Sequence, residues 1–222
     1  MLFRSMKRKS SRQKKDDPDE RGPKFLIWIA TTKCNLNCSH CYAAKFANGE
    51  LSLKEKFSVV RDAAQTGIRE INLIRGTGTW ELFLSGVKRL RNFGVPFATV
   101  MSLNNQNYKE VSSYLSLAKD LGANHGCLIP VMPTGRAKKE IILKPEQMIE
   151  VLRAAEEAAE SLKFPTSLWC TPFARLIVKS RYVSAGYCRT WNNEIEIDPA
   201  GNVLLCDISD VKFSNILEKR LK

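Results

Sequence analysis

No stretch of this 222-residue chain approaches the roughly 20 consecutive apolar residues that cross a bilayer, so membrane insertion is not expected. The N-terminus carries charge but lacks a following apolar segment, and it does not read as a secretory signal. Its first fifteen residues contain no acid: Arg4, Lys7, Arg8, Lys9, Arg12, Lys14 and Lys15 supply more than half of the formal net charge of +12. Residues 1–22 therefore read as a basic, solvated, disordered tail, with nucleic acid or an acidic partner as the sharper alternative. In the body of the chain aromatic residues are not interleaved with basic ones, so nothing there supports a nucleic-acid module. Seven cysteines is an odd number, and without an export signal the reducing cytoplasm is the expected compartment. With 44% hydrophobic and 26% charged residues the body reads as globular, long enough to bury roughly 70% of its unfolded surface.

A fourth cysteine is missing where three stand together. Cys34, Cys38 and Cys41 have the spacing C-x3-C-x2-C. Structural zinc is almost always closed by four protein ligands, and ordinary iron-sulfur clusters by four thiolates, so a lone trio points to a cluster with one open iron. On a helix the three would share a face, but about 10.5 Å of rise would string the outer sulfurs along an axis. Asn35, Asn37 and Ser39 favour turns, and the segment from Phe25 to Ala30 reads as a buried strand. The ligands are thus expected on a curled loop just beyond a strand's C-terminal end, where α/β folds place their sites. The alternative is zinc, with His40 or a distant cysteine as fourth ligand.

These residues resemble the signature of radical S-adenosylmethionine enzymes, in which C-x3-C-x2-C carries an aromatic residue beside the last cysteine, here Tyr42. The resemblance implies that Cys34, Cys38 and Cys41 hold a 4Fe-4S cluster whose fourth iron is chelated by S-adenosylmethionine. It further implies reductive cleavage to a 5'-deoxyadenosyl radical that abstracts hydrogen from substrate, with an electron donor as partner and Tyr42 against the adenine edge. No catalytic side chain is assigned.

After the cysteine loop, helical and strand patterns alternate, which argues for α/β with parallel strands. The first helix is expected from Leu51 to Gly67, with Ser52 and Glu55 as a capping box and Phe57, Val60, Ala63 and Ala64 as its apolar stripe. Strands are expected at 70–74, 95–101 and 126–131, and helices at 80–92, 108–121 and 145–162. At about 30 to 35 residues per βα unit, the core at 23–165 holds about four units. The family's core resembles a partial barrel of six, so the expected fold is a shortened partial (β/α) barrel. A Gly-Gly-Glu-Pro motif, which binds the methionine amino group in the family, is absent. Arg75-Gly76-Thr77-Gly78 instead resembles a segment found later in the family's core, which locates an internal deletion near residues 72 to 75; a phosphate-cradling loop is the weaker alternative. Pro133-Thr134-Gly135-Arg136 resembles segments of family members that modify peptides or tetrapyrroles, and it nominates Arg136 for the cofactor's carboxylate.

Residues 166–222 form an expected C-terminal extension. Glu194–Asp198 and Asn202–Cys206 alternate around Pro199-Ala200-Gly201 and read as a β-hairpin. Cys188-x12-Gly201-x4-Cys206 resembles the opening of the SPASM or twitch extension, implying that Cys188 and Cys206 ligate an auxiliary iron-sulfur cluster, although no cysteine follows Cys206. Cys127 reads as a buried thiol, whereas Cys170 is either buried or a further ligand. The leading expectation is a radical S-adenosylmethionine enzyme acting on a peptide or a tetrapyrrole-like small molecule. A non-catalytic, shortened remnant that binds a cluster or partner is the alternative, and a zinc-binding basic protein the third. Exposed sheet edges in a shortened barrel would invite homodimerisation.

Overall fold

The first helix begins where a reciprocal cap can form. Ser52 Oγ accepts the Glu55 N–H at 3.3 Å and the Glu55 carboxylate accepts the Ser52 N–H at 2.7 Å, satisfying two donors that the helix itself leaves orphaned. The computed structural model describes residues 25–33, 37–46, 49–66, 68, 70–73, 80–186 and 194–220. Among these, strands and helices alternate as β1 (Phe25–Trp28), α1 (Leu53–Gln65), β2 (Glu70–Leu73), α2 (Trp80–Asn92), β3 (Ala98–Leu103), α3 (Val111–Asp120), β4 (His125–Pro130) and α4 (Pro145–Leu162). These are four βα repeats, as the chain length suggested. Short strands β5 (Thr166–Leu168), β6 (Val183–Ala185), β7 (Glu194–Ile197), β8 (Asn202–Leu204) and β9 (Lys212–Asn215) follow. The basic tail and the Arg75–Gly78 segment lie outside the described residues.

The strands form two sheets. One has the order β3-β4-β5-β6 and is parallel throughout, so β5 and β6 build the start of the C-terminal extension directly onto the core. The other has the order β2-β1-β7-β8-β9. Here β1 pairs in parallel with β2 on one side and β7 on the other, Phe25 opposite Glu70 and Glu194, while β7, β8 and β9 run antiparallel. The expected hairpin exists, and it is welded to the first strand. Its turn holds Gly201 at φ +85°, and a Cβ there would stand 2.9 Å from Ile216, which explains glycine at that corner. The described residues pair β2 with β1 alone and β3 with β4 alone.

Each sheet carries its own core. Leu115 and Val111 of α3 and Val151, Leu152 and Ala155 of α4 pack on Leu128 of β4 and Leu168 of β5. Leu26 and Trp28 of β1 pack with Val59, Ala63, Ile197 and Ile216. One expectation for α1 is corrected by this second core. Of the expected stripe Ala63 faces inward, beside Val59 and Asp62, whereas Phe57 is 62% and Val60 43% exposed and Ala64 is exposed as well. The helical period was right and the phase was wrong, because two apolar stripes compete on α1 and the narrow sheet at its edge covers one of them. No helix among the described residues is long and apolar enough to cross a membrane.

Because Leu152 is fully enclosed and Phe57 is not, Leu152→Ala is expected to cost about 2–5 kcal/mol and Phe57→Ala no more than about 0.5 kcal/mol, measured as shifts in urea unfolding. Equal losses would contradict the packing described.

Candidate metal centre

Beyond β1 the chain enters the cysteine loop. Ile29 N–H still bonds to Ile197 O at 3.0 Å, which anchors the loop's root to β7. Ser39 and His40 then form a tight turn closed by the Cys41 N–H on the Cys38 carbonyl at 3.2 Å, and a 3-10 turn follows over Tyr42–Lys45. Cys38 and Cys41, both half-buried, are therefore brought together by a turn rather than spread along a helix. Cys34 lies outside the described residues. Two cysteines carried on one backbone turn beyond a strand's C-terminal end offer the donor chemistry of a cluster-binding loop.

The loop after β4 forms the opposing wall. Arg136 N–H donates to Cys41 O at 3.1 Å and Arg136 Nε–H to Cys38 O at 3.0 Å. Gly135, at φ +63°, sits so close that a Cβ there would lie 2.5 Å from Cys41 O and 2.6 Å from Tyr42 O. Only glycine permits this approach. Arg136, nominated from sequence for a cofactor carboxylate, thus clasps the backbone of the cysteine loop. His40 is held below its usual pKa, first by burial and then by the Arg136 charge.

Tyr42 turns its hydroxyl inward. That hydroxyl is buried and makes no hydrogen bond of good geometry, yet Asp207 lies near enough to act on it. Burial first, and Asp207 and Glu196 after it, raise the phenol well above its usual range. Glu196 of β7 is 4% exposed, its carboxylate accepts the Asp207 N–H, and its pKa is pushed up to about 8 by burial and then by the Asp207 charge. Asp207 is raised as well, chiefly by burial. Cys206 Sγ lies 3.9 Å from Asp207 Oδ1, and one donor atom from each of Glu196, Cys206 and Asp207 falls within 4.8 Å of the others. Lys45 Nζ, from the 3-10 turn, reaches Ser209 O at 3.1 Å and Asp210 Oδ1 at 3.3 Å, tying the two cysteine-bearing loops together.

Cys38, Cys41, Tyr42 and Arg136 therefore share one end of the fold, and Tyr42 joins them to Asp207, the neighbour of Cys206. Cys188 lies outside the described residues. Cys127 is buried, with its sulfur 3.0 Å from Ser167 Oγ, as expected; Cys170 is exposed just beyond β5, at φ +53°. Sequence reasoning passed over Glu196 and Asp207. The available signal was an acid within a strand that ends up between two others, where both faces are covered.

No family model matches the chain. By sequence it is similar to the AdoMet-dependent heme synthase of Methanosarcina barkeri (strain Fusaro / DSM 804), 21% identical over 232 residues, covering 74% of this chain and 66% of that protein. By structure it is similar to Streptococcus suis SuiB, with a TM-score of 0.63 at 11% identity over 90% of this chain and 65% of that one. SuiB bound to S-adenosylmethionine matches at 0.59 and 13% identity over 90% and 65%, and SuiB bound to precursor peptide SuiA at 0.62 and 12% over 90% and 64%. In sequence the chain is thus similar to an AdoMet-dependent heme synthase, and its α/β fold is that of SuiB. It spans about two thirds of the length of these relatives. The heme synthase match runs over 232 positions but takes in 74% of 222 residues, so roughly 70 positions have no counterpart here, about what two βα units occupy.

Since Gly135 is pressed against two carbonyls of the ligand loop, Gly135→Ala is expected to displace that loop and lower iron retained after anaerobic reconstitution severalfold, while far-ultraviolet circular dichroism stays unchanged. Full iron retention would show that the contact is dispensable.

Proposed function

We propose that this chain is a radical S-adenosylmethionine enzyme holding a 4Fe-4S cluster on Cys34, Cys38 and Cys41. The observation that carries this reading is the cysteine loop itself, turned at Ser39-His40 and clamped by Gly135 and Arg136 at the C-terminal end of a parallel strand. When bound, the cluster and S-adenosylmethionine supply a 5'-deoxyadenosyl radical for hydrogen abstraction. The chain's own residues bind, orient and shield. Arg136 fixes the Cys38 and Cys41 carbonyls, so the thiolates are presented in one geometry, and its guanidinium also serves the methionine carboxylate. Tyr42 flanks the adenine with its ring while its hydroxyl stays on the protein side. Cys188 and Cys206 ligate an auxiliary iron-sulfur cluster.

The substrate is a peptide or a tetrapyrrole. SuiB is matched in a form bound to a precursor peptide, and the curated relative is a heme synthase. An electron donor is required, the reducing cytoplasm is the compartment, and the open edges of β2 and β3 are where two copies would meet. A second reading, a non-catalytic remnant that binds a cluster without turning over, is favoured by one observation: the roughly 70 positions that the heme synthase match has and this chain lacks.

Anaerobic reconstitution separates the two. Iron and sulfide with 5'-deoxyadenosine formed on adding S-adenosylmethionine and a strong reductant supports the enzyme; iron and sulfide without it supports the remnant. Cys38→Ala is expected to abolish binding of that cluster, and unchanged iron and sulfide in this variant would reject the ligand assignment.

A further inference from the structure

Four strands stand at the ends of the two sheets among the described residues, β2 and β9 in one and β3 and β6 in the other. Sheet edges are ordinarily guarded by shortness, a charge, a proline or a bulge. β6 has three residues, β2 has four and opens on Glu70, and β9 has four, opens on Lys212 and meets β8 in an irregular register. β3 has none of these guards. Ala98–Leu103 runs for six residues without a charge or a proline, in unbroken register with β4. Val100, in its middle, is 47% exposed, and Phe93 and Val95 just before the strand are exposed as well.

The bonds of β3 show which of its backbone groups face outward. Asn124 N–H donates to Phe97 O and Val131 N–H to Leu103 O, each at 2.8 Å and each from the chain of β4. Successive residues of a strand direct their N–H and C=O to opposite edges, so Ala98, Val100 and Ser102 point away from β4. The Ser102 carbonyl accepts from Asn107 Nδ2 at 2.9 Å and keeps a second lone pair. This outward row is its own complement. About a two-fold axis through Val100, an antiparallel second copy sets Val100 opposite its own counterpart and Ala98 opposite Ser102, each a hydrogen-bonded pair with no charge opposed. Met101 and Leu103 then stay on the face that packs against α3 and α4 in both copies, a face that a slip of one residue would turn over. A standard interface buries about 800 Å² per partner, and a six-residue edge with one phenylalanine and two valines offers roughly half of that, enough for a reversible contact.

We propose that β3 is a dimer contact, at which two copies pair antiparallel about Val100 and join their four-stranded sheets into one. This deepens the reading that two copies meet at open edges, and rests on it for the identity of the partner, while assigning the contact to β3 and not to β2. Antiparallel pairing sends the loops after the two β4 strands, and with them the two Arg136 clasps, to opposite ends of the joined sheet. Neither copy covers the other's cysteine loop.

Sedimentation velocity of the full chain over a concentration series is expected to show monomer passing to dimer. Val100→Pro removes an outward N–H and no bond to β4, and Val100→Lys sets like charges face to face; each is expected to weaken dimerisation roughly tenfold or more with far-ultraviolet circular dichroism unchanged. Should the proline variant unfold, the lysine variant decides. A hydrogen-bonded antiparallel pair holds its Cα atoms about 5.5 Å apart, within disulfide reach, so Val100→Cys gives a positive readout. Mild oxidation of this variant, free of metal, is expected to yield covalent dimer well above the level that the native cysteines give in the parent, whereas Phe213→Cys on β9 does not exceed that level. A chain that stays monomeric throughout the series overturns both the β3 contact and the general reading that copies meet at sheet edges. A dimer that persists in Val100→Lys and forms no crosslink in Val100→Cys keeps the general reading and overturns the β3 contact. Iron binding and 5'-deoxyadenosine formation play no part in either measurement, so failure here is separate from failure of the enzyme assignment.

Discussion

β1 is hydrogen-bonded along both edges, to β2 and to β7, and this double pairing is the constraint on which the rest of the molecule depends. It holds the root of the cysteine loop through Ile29 and Ile197, and buries Leu26, Trp28 and Ile29 almost completely. It also sets Glu196 beside the loop, because a parallel register with Ile27 opposite Glu196 brings the C-terminal ends of β1 and β7 to the same side. Without β7, β1 would be an edge bonded to β2 alone. The candidate site is thus assembled by backbone register first and by side chains second.

Much of this was legible locally. Ser52 and Glu55 announce the start of α1, Pro145 the start of α4, and Pro199-Ala200-Gly201 the corner between β7 and β8, because caps and turns are decided by a few neighbouring residues. The C-x3-C-x2-C run and its turn-forming Asn37 and Ser39 were equally readable. What escaped had partners far away in sequence. The phase of α1 depends on which of two apolar stripes a distant sheet covers, and Gly135 looks like any turn glycine until Cys41 and Tyr42 lie beneath it. Glu196 reads as one polar member of an alternating strand, and only its placement between β1 and β8 reveals a buried acid.

Arg136 shows how one residue can be recognised for the right place and a different job. The sequence pattern put it over the strand ends, and it lies there against the cysteine loop. Its main-chain N–H and its Nε–H bond to carbonyls of the cysteine loop, a role that no spacing pattern encodes. The site is therefore a clasp between two loops, one after β1 and one after β4, on separate sheets.

The β1–β7 register has a temporal consequence. Phe25 and Glu194 lie 169 positions apart along the chain, and at synthesis rates of about 5 to 20 residues per second the first strand waits on the order of ten seconds or more for its neighbour to be made. During that interval the thiols of the cysteine loop are presented on an unfinished sheet. Completion of the sheet that holds this loop is thereby placed after β7 has been made, and the nascent chain must be kept from pairing its first strand with a stranger in the meantime.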